Sequence, residues 1–218
     1  MLPQFVNWKD PNSLAARIRR RRALLFQSLL RGVPRPLKIL DVGGSPHVWE
    51  VLKFTNDPEI TITLLNLYKS ETGYSNVQSL VGDGRDLSRF KDQSFDVVYS
   101  NSVIEHIGGE EDRRRMADET RRVGKRYFVQ TPFRYFPIEP HFIFPMFQFL
   151  PFQAQTWLVQ RYNLGWYKKV PDRREAEELV KSIHLLSRSE IKELFQDSTV
   201  VSERFGGLVK ALLAYRMG

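Results

Sequence analysis

Cysteine is absent from the sequence. That excludes disulfides, thiolate metal sites and any cysteine nucleophile, and it fits a reducing compartment. Also absent is any run of about eighteen apolar residues, so no membrane-spanning helix is expected. The N-terminal stretch has no apolar core of a signal peptide, because Trp8-Lys9-Asp10-Pro11 interrupts it. The expectation is a cytoplasmic protein, with peripheral residence at the inner face of a membrane as its variant. Internal repeats and low-complexity tracts are lacking. No group of His, Asp and Glu stands at metal-ligand spacing along the chain, so no metal is expected. The G-x-G-x-x-G fingerprint of dinucleotide binding is missing too.

What is present has the balance of a soluble globular chain. The 218 residues, 42% hydrophobic and 27% charged, suffice for one good core with a subdomain. The formal net charge of +8 is compatible with nucleic acid, an anionic membrane or an acidic small molecule as partner. Much of the excess lies in local runs: Arg19 to Arg22, Arg113 to Arg115, and Arg121-Arg122 with Lys125-Arg126. Such runs are first of all the solvated faces of helices.

The chain is organised around Ile39-Leu-Asp-Val-Gly-Gly-Ser-Pro46. A buried strand with one polar residue, Asp41, runs into two glycines. Ser45 suits a helix N-cap and Pro46 the first helical position, where its missing N–H costs nothing. A strand, a tight turn and a helix start bring backbone close to a ligand and aim helix N–H groups at it.

Before this stretch, residues 1–36 read as an N-terminal helical extension. Asn12 or Ser13 caps a helix running to about Arg31, with Leu14, Ile18, Leu25 and Leu29 on one face. Residues 14–31 are thus an amphipathic helix, packed on the domain edge or laid on an anionic membrane. After it, strands and helices alternate. Leu37 to Val42, Ile60 to Asn66, Val77 to Val81, Phe95 to Ser100 and Arg126 to Thr131 read as strands. Helical patterns fill Pro46 to Phe54 and Ser102 to Val123, the latter broken at Gly108-Gly109.

Residues 133–185 differ. Phe, Tyr and Trp are dense and interleaved with Pro137, Pro140, Pro145 and Pro151. This insertion reads as a lid or acceptor wall, a packed subdomain, or, over 133–160, a membrane-facing patch. A helix covers Glu175 to Ile183, and a capping box at Ser187 and Glu190 opens another. Thr199 to Phe205, Gly206-Gly207 and Leu208 to Arg216 read as a closing antiparallel hairpin. The fold class is α/β: a doubly wound, seven-stranded, mostly parallel sheet with an antiparallel last strand, in three α/β/α layers, with the aromatic insertion after strand five. Ligands of such sheets sit beyond the carboxyl ends of the strands.

The ordered strand ends resemble the class I S-adenosylmethionine-dependent methyltransferases, more narrowly the type-11-like group. Ile39-Leu-Asp-Val-Gly-Gly44 looks like the family's first motif, Val81-Gly-Asp-Gly84 like its third, and Phe95-Asp-Val-Val-Tyr-Ser-Asn-Ser-Val-Ile-Glu-His106 like its fourth. The similarity covers residues 37–132, and the closing helix and hairpin also fit. It implies a methyltransferase domain over 37–218 that binds S-adenosylmethionine. Asp41 would hold the methionine ammonium end, while Gly43, Gly44 and Ser45 let the backbone approach. Asn66 and Leu67, where the family usually has an acidic residue, would meet the ribose. Gly82, Asp83 and Gly84 would lie at the adenine, with Asp83 accepting from its amino group. Asn101 and Ser102 would lie under the methionine part. Ser45 and His47 replace the family's later glycines, so a stiffer and more crowded turn is expected.

Methyl transfer to an oxygen or amine needs a proton acceptor. His141, in Ile138-Glu-Pro-His141, is the candidate, with Glu139 to orient it and His106 as the second histidine near a strand end. The sequence has no Asn-Pro-Pro-Tyr-like motif after strand four, which argues against methylation of a nucleobase amine. Without cysteine, thiolate-dependent pyrimidine methylation is excluded. The expected partner is a small-molecule methyl acceptor, reacting through an oxygen of a sugar, lipid-linked or secondary-metabolite compound. The alternatives are an RNA methyltransferase and a non-catalytic membrane-associated protein on the same fold.

Overall fold

The structure, a computed structural model, describes residues 14–217. The expected N-cap at Asn12 or Ser13 lies outside them. The first helix, α1, spans Leu14–Leu29. Of the face expected, Ile18 is buried and Leu25 and Leu29 are half-buried; the other buried residues, Ala23, Phe26 and the following Leu30, lie outside the expected stripe. Phe26 is the anchor. It lies edge-on against Trp49, Tyr99 and Phe128, and a buried ring of this size removes more apolar area from water than a leucine.

The strands are β1 (Leu37–Val42), β2 (Ile60–Asn66), β3 (Val77–Val81), β4 (Val97–Asn101), β5 (Tyr127–Pro132), the short β6 (Ile138–Glu139) and β7 (Phe144–Pro145), β8 (Thr199–Phe205) and β9 (Leu208–Arg216). Seven form one sheet in the order β3-β2-β1-β4-β5-β9-β8, and β6 pairs with β7. β1 runs parallel to β2 and to β4, and β2 parallel to β3. β8 and β9 are antiparallel around Gly206-Gly207, both glycines at positive φ. Buried on nearly every residue, β1 shows the continuous apolar run of a strand covered on both faces.

The helices after α1 are α2 (Pro46–Leu52), α3 (Glu110–Val123), α4 (Phe152–Arg161), α5 (Arg173–Lys181) and α6 (Arg188–Leu194). The pattern over Ser102 to Val123 breaks at the glycines as expected: a 3-10 turn at Ile104–His106 precedes α3. The capping box of α6 is formed in both directions between Ser187 and Glu190. Ser45 does occupy the N-cap of α2, but its side chain makes no capping bond. The arginine runs divide: Arg113 is buried and donates to the Ile107 and Gly108 carbonyls, part-buried Arg122 holds Glu119 and the Leu87 and Phe90 carbonyls, and Arg114 with Glu110 and Glu193 and Arg115 with Glu111 are solvated ion pairs. Pairs so exposed contribute little to stability, typically under about 1 kcal/mol each.

The chain divides into two compact units. One takes the residues up to Ser100 together with Glu119–Phe128; the other takes Asn101–Asp118 and Val129–Arg216. The aromatic insertion lies in the second. It has its own core of Phe142, Phe147, Val159, Ala176 and Val180. Asp172 caps α5 by accepting from the Glu175 N–H at 2.8 Å. No helix among the described residues is long and apolar enough to cross a membrane.

Candidate active site

In the first unit, three parallel strands end side by side, and their turns are stitched together. The Gly43 N–H donates to the Leu65 carbonyl and the Gly82 N–H to the Asn66 carbonyl, at 2.8 and 2.9 Å. Gly43 takes φ 74°, which the two-glycine turn needs. A Cβ at Gly44 would overlap the Asp41 carboxyl. The turn after β1 therefore closes directly over the Asp41 side chain; the crowding comes from Asp41 beneath Gly44, and Ser45, which the sequence pointed to, is exposed.

Asp41 is fully buried. Its Oδ2 accepts from the Trp49 indole Nε1 at 2.8 Å, and its Oδ1 has no hydrogen-bond partner among the described residues. Burial pushes its pKa up to about 7, against the lowering effect of the Trp49 bond. A buried carboxylate oxygen without a donor is costly, and an ammonium group placed there would supply both donor and charge. Trp49 escaped the sequence reading. The only signal was a tryptophan in the first turn of the helix that follows the glycines.

Asn66 does not stand idle at the end of β2. Its Nδ2 donates to the Gly44 carbonyl at 3.0 Å and fixes the turn. A carboxylate at this position could not donate, and would face the carbonyl oxygen with its own negative charge. That gives a physical reason for an amide where an acid is usual. It also means that part of the amide's donor capacity, expected to serve ribose, is spent within the protein. Oδ1 remains as an acceptor and one N–H as a donor.

Asp83 follows β3 and is held by its neighbour. The Arg85 guanidinium meets both carboxylate oxygens, Nη2 to Oδ2 at 2.6 Å, and the Arg85 N–H donates to Oδ1 at 2.9 Å. The Arg85 bonds hold the carboxyl below its usual range against the opposing effect of burial. The carboxylate is thus an oriented acceptor. A Cβ at Gly82 would come 2.8 Å from Leu65 Cδ1, so the Leu65 side chain would have to shift. Leu67 is exposed beyond β2, and Gly84 is buried in the turn.

In the second unit, Asn101 ends β4 and Ser102 follows in a left-handed conformation, φ 58°. The Ser102 backbone N–H and its Oγ both meet Gln130, at the carbonyl and at Oε1, each at 3.0 Å. The same unit assembles the two candidate histidines. Glu139, almost fully buried, accepts from the backbone N–H groups of His141 and Phe142 at 2.7 and 2.6 Å and pairs with His141 Nδ1 at 2.7 Å. His106 and His141 lie edge to face with ring centroids 4.7 Å apart. Burial, then the neighbouring His141, push His106 down to about 4, although part of the residue reaches solvent. Glu105 is fully buried and its Oε2 accepts from Thr131 Oγ1 at 3.0 Å. Glu105, His106 and His141 each offer a ligand atom within 4.8 Å of the other two. Spacing along the chain gave no such set, because His141 comes from a different segment.

The first unit thus sets three parallel strand ends side by side, two of them rich in glycine, with a buried acid under the first and an oriented acid at the third. Residues 48–127 match a family model described as a methyltransferase domain. Among solved structures, the chain is similar to an S-adenosylmethionine-dependent methyltransferase from Aquifex aeolicus. Identity there is 11%, coverage is 98% of both chains and the TM-score is 0.53. It is also similar to the CurJ carbon methyltransferase, at 12% identity over 97% of this chain and 57% of that one, with a TM-score of 0.60. A third is the N-terminal domain of EvdMO1 in the presence of SAH and D-fucose, at 15% identity over 90% and 81% of the two chains, TM-score 0.53. At these identities the likeness is one of fold. No curated protein sequence matches the chain.

Proposed function

We propose that the protein transfers the S-adenosylmethionine methyl group to an oxygen of a small molecule, of the sugar, lipid-linked or secondary-metabolite kind. The observation that carries this reading is the Glu139–His141 pair. Its bond to Glu139 gives His141 Nδ1 a proton to donate and leaves Nε2 as a lone pair able to accept one from a hydroxyl. Glu139 also lines a cavity of about 340 Å³, together with Arg134, Phe142, Gln148, Val180 and His184. That volume suits a small molecule. The sulfonium is already an activated leaving group, so positioning and loss of the acceptor's proton are what the protein has to supply.

For the cofactor, Asp41 Oδ1 suits the methionine ammonium, Asn66 Oδ1 a ribose hydroxyl and Asp83 the adenine amino group. A sugar acceptor draws support from the EvdMO1 domain, whose structure is described as in the presence of D-fucose. A lipid-linked one draws support from exposed Trp157, Tyr162 and Trp166 in the insertion, with Arg161 stacked 5.1 Å from the Trp157 ring centre. The test is turnover of S-adenosylmethionine by the purified protein against glycans, polyprenyl- and phospholipids, phenols and RNA. Transfer to a hydroxylated small molecule supports the reading. Transfer to RNA alone, with activity falling steeply as salt is raised, would replace it.

A further inference from the structure

We propose that Glu105, His106 and His141 bind one divalent cation of the first transition row, of the zinc or cobalt type. Two imidazoles and one carboxylate form a mixed nitrogen–oxygen set that suits such ions; magnesium and calcium prefer all-oxygen sets. The donor atoms lie within 4.8 Å of one another. Bonds of about 2.1 Å to a shared ion require separations nearer 3–4 Å, so the cluster has to contract by roughly an ångström. His106 is exposed, so its ring has solvent rather than packed side chains on part of its surface.

Three features beyond proximity point to ligation. First, each histidine already commits one ring nitrogen to an oxygen. His141 Nδ1 is bonded to the Glu139 carboxylate at 2.7 Å, and His106 donates to the Ser182 carbonyl. A ring N–H held by a carboxylate or carbonyl leaves the other nitrogen as an oriented lone pair, the usual support of metal-bound histidine. Second, the two imidazoles already stand edge to face, with ring centroids 4.7 Å apart. Third, the His141 backbone is pinned. Its carbonyl accepts from the Trp166 N–H at 3.1 Å, and Gly165 packs so closely on it that a Cβ there would overlap the carbonyl.

A catalytic role for the ion rests on the methyl-transfer reading: a bound ion would take the acceptor hydroxyl as a further ligand and lower its pKa. His141 Nε2 is then a ligand. The base role and the ligand role of that atom exclude one another in the same complex.

The proposal is tested on the full chain, stripped with EDTA and dialysed. Zinc and cobalt are titrated by calorimetry, and cobalt is followed by its visible absorption. One ion per chain is expected, with a cobalt spectrum showing nitrogen ligation. His106→Ala and His141→Ala should each weaken binding at least 100-fold, and Glu139→Gln, which leaves all three ligands in place, about 10-fold. Circular dichroism and S-adenosylmethionine binding should remain as in the parent. His106→Ala, at a partly exposed residue, keeps the test open if Glu105→Gln fails to fold. Absence of stoichiometric binding, or binding that survives in both histidine variants, overturns the proposal. So does a preference for magnesium. None of these outcomes bears on whether S-adenosylmethionine binds, so the two readings fail separately.

Discussion

Trp49 donates its indole N–H to Asp41 Oδ2 at 2.8 Å, and both side chains are fully buried. The bond crosses from the first turn of α2 to the floor of the glycine turn. It occupies one carboxylate oxygen, while the other, Oδ1, is buried with no hydrogen-bond partner among the described residues.

The raised pKa of Asp41 sets a pH dependence. Its carboxyl titrates near 7 when folded and near 3.8 in the unfolded chain. Below pH 4 both states are protonated and nothing is lost. Between pH 4 and 7 the unfolded chain releases a proton that the folded protein keeps, so stability falls as pH rises. The full cost, roughly 4 kcal/mol from about three pH units, is reached above pH 7. Asp41→Asn should therefore gain stability on the parent between pH 4.5 and 8, and lose most of its S-adenosylmethionine affinity. Urea midpoints at the two pH values and a calorimetric titration check this. A pH-independent difference would show that Asp41 is not the titrating group.

Trp49→Phe keeps the ring but removes the donor. A hydrogen bond to a buried charge contributes about 1.5–3 kcal/mol. The stability loss should be larger at pH 8, where Asp41 is ionised, than at pH 4.5. Equal losses at both would assign the whole effect to packing against Phe26, Phe54 and Tyr99.

Asn66→Asp exchanges the Gly44 donor for a carboxylate. At pH 7 the turn should loosen at a cost of about 1–3 kcal/mol, with weaker S-adenosylmethionine binding. Near pH 4 the protonated acid can donate again, and the variant should approach the parent in stability. Tighter cofactor binding at pH 7 would mean that a charged bond to ribose outweighs the lost turn contact.

Asp83→Ala should weaken S-adenosylmethionine binding by about 1–3 kcal/mol, the loss of an acceptor from the adenine amino group. Arg85→Ala leaves that acceptor and removes only a partly exposed ion pair, so its effect on stability should stay under about 1 kcal/mol. Unchanged affinity in Asp83→Ala would place the adenine elsewhere.

The sequence by itself determined what is local. Two-residue turn chemistry at Gly206-Gly207 specified the closing hairpin, and Ser187 with Glu190 specified the start of α6. Apolar runs bounded by glycine and proline located all seven strands of the main sheet, with ends shifted by a residue or two at β4 and β5. Glycines, acids and amides at the strand ends marked the candidate cofactor residues, because residues at parallel strand ends gather on one edge whatever else the chain does. Tertiary structure decided which side chains meet. Phe26 rather than the leucines anchors α1, Ser45 leaves its cap unmade, and Asn66 spends a donor on Gly44. Trp49 under Asp41, Arg85 on Asp83, and Glu105 beside His106 and His141 depend on rotamer and on how helices lie on strands. Those distances are set by packing across many residues, and no short window of sequence contains them. The turn at Gly43 and Gly44 shows both sides: its two glycines are written in the sequence, and the buried carboxyl that makes the second one obligatory is visible only in the fold.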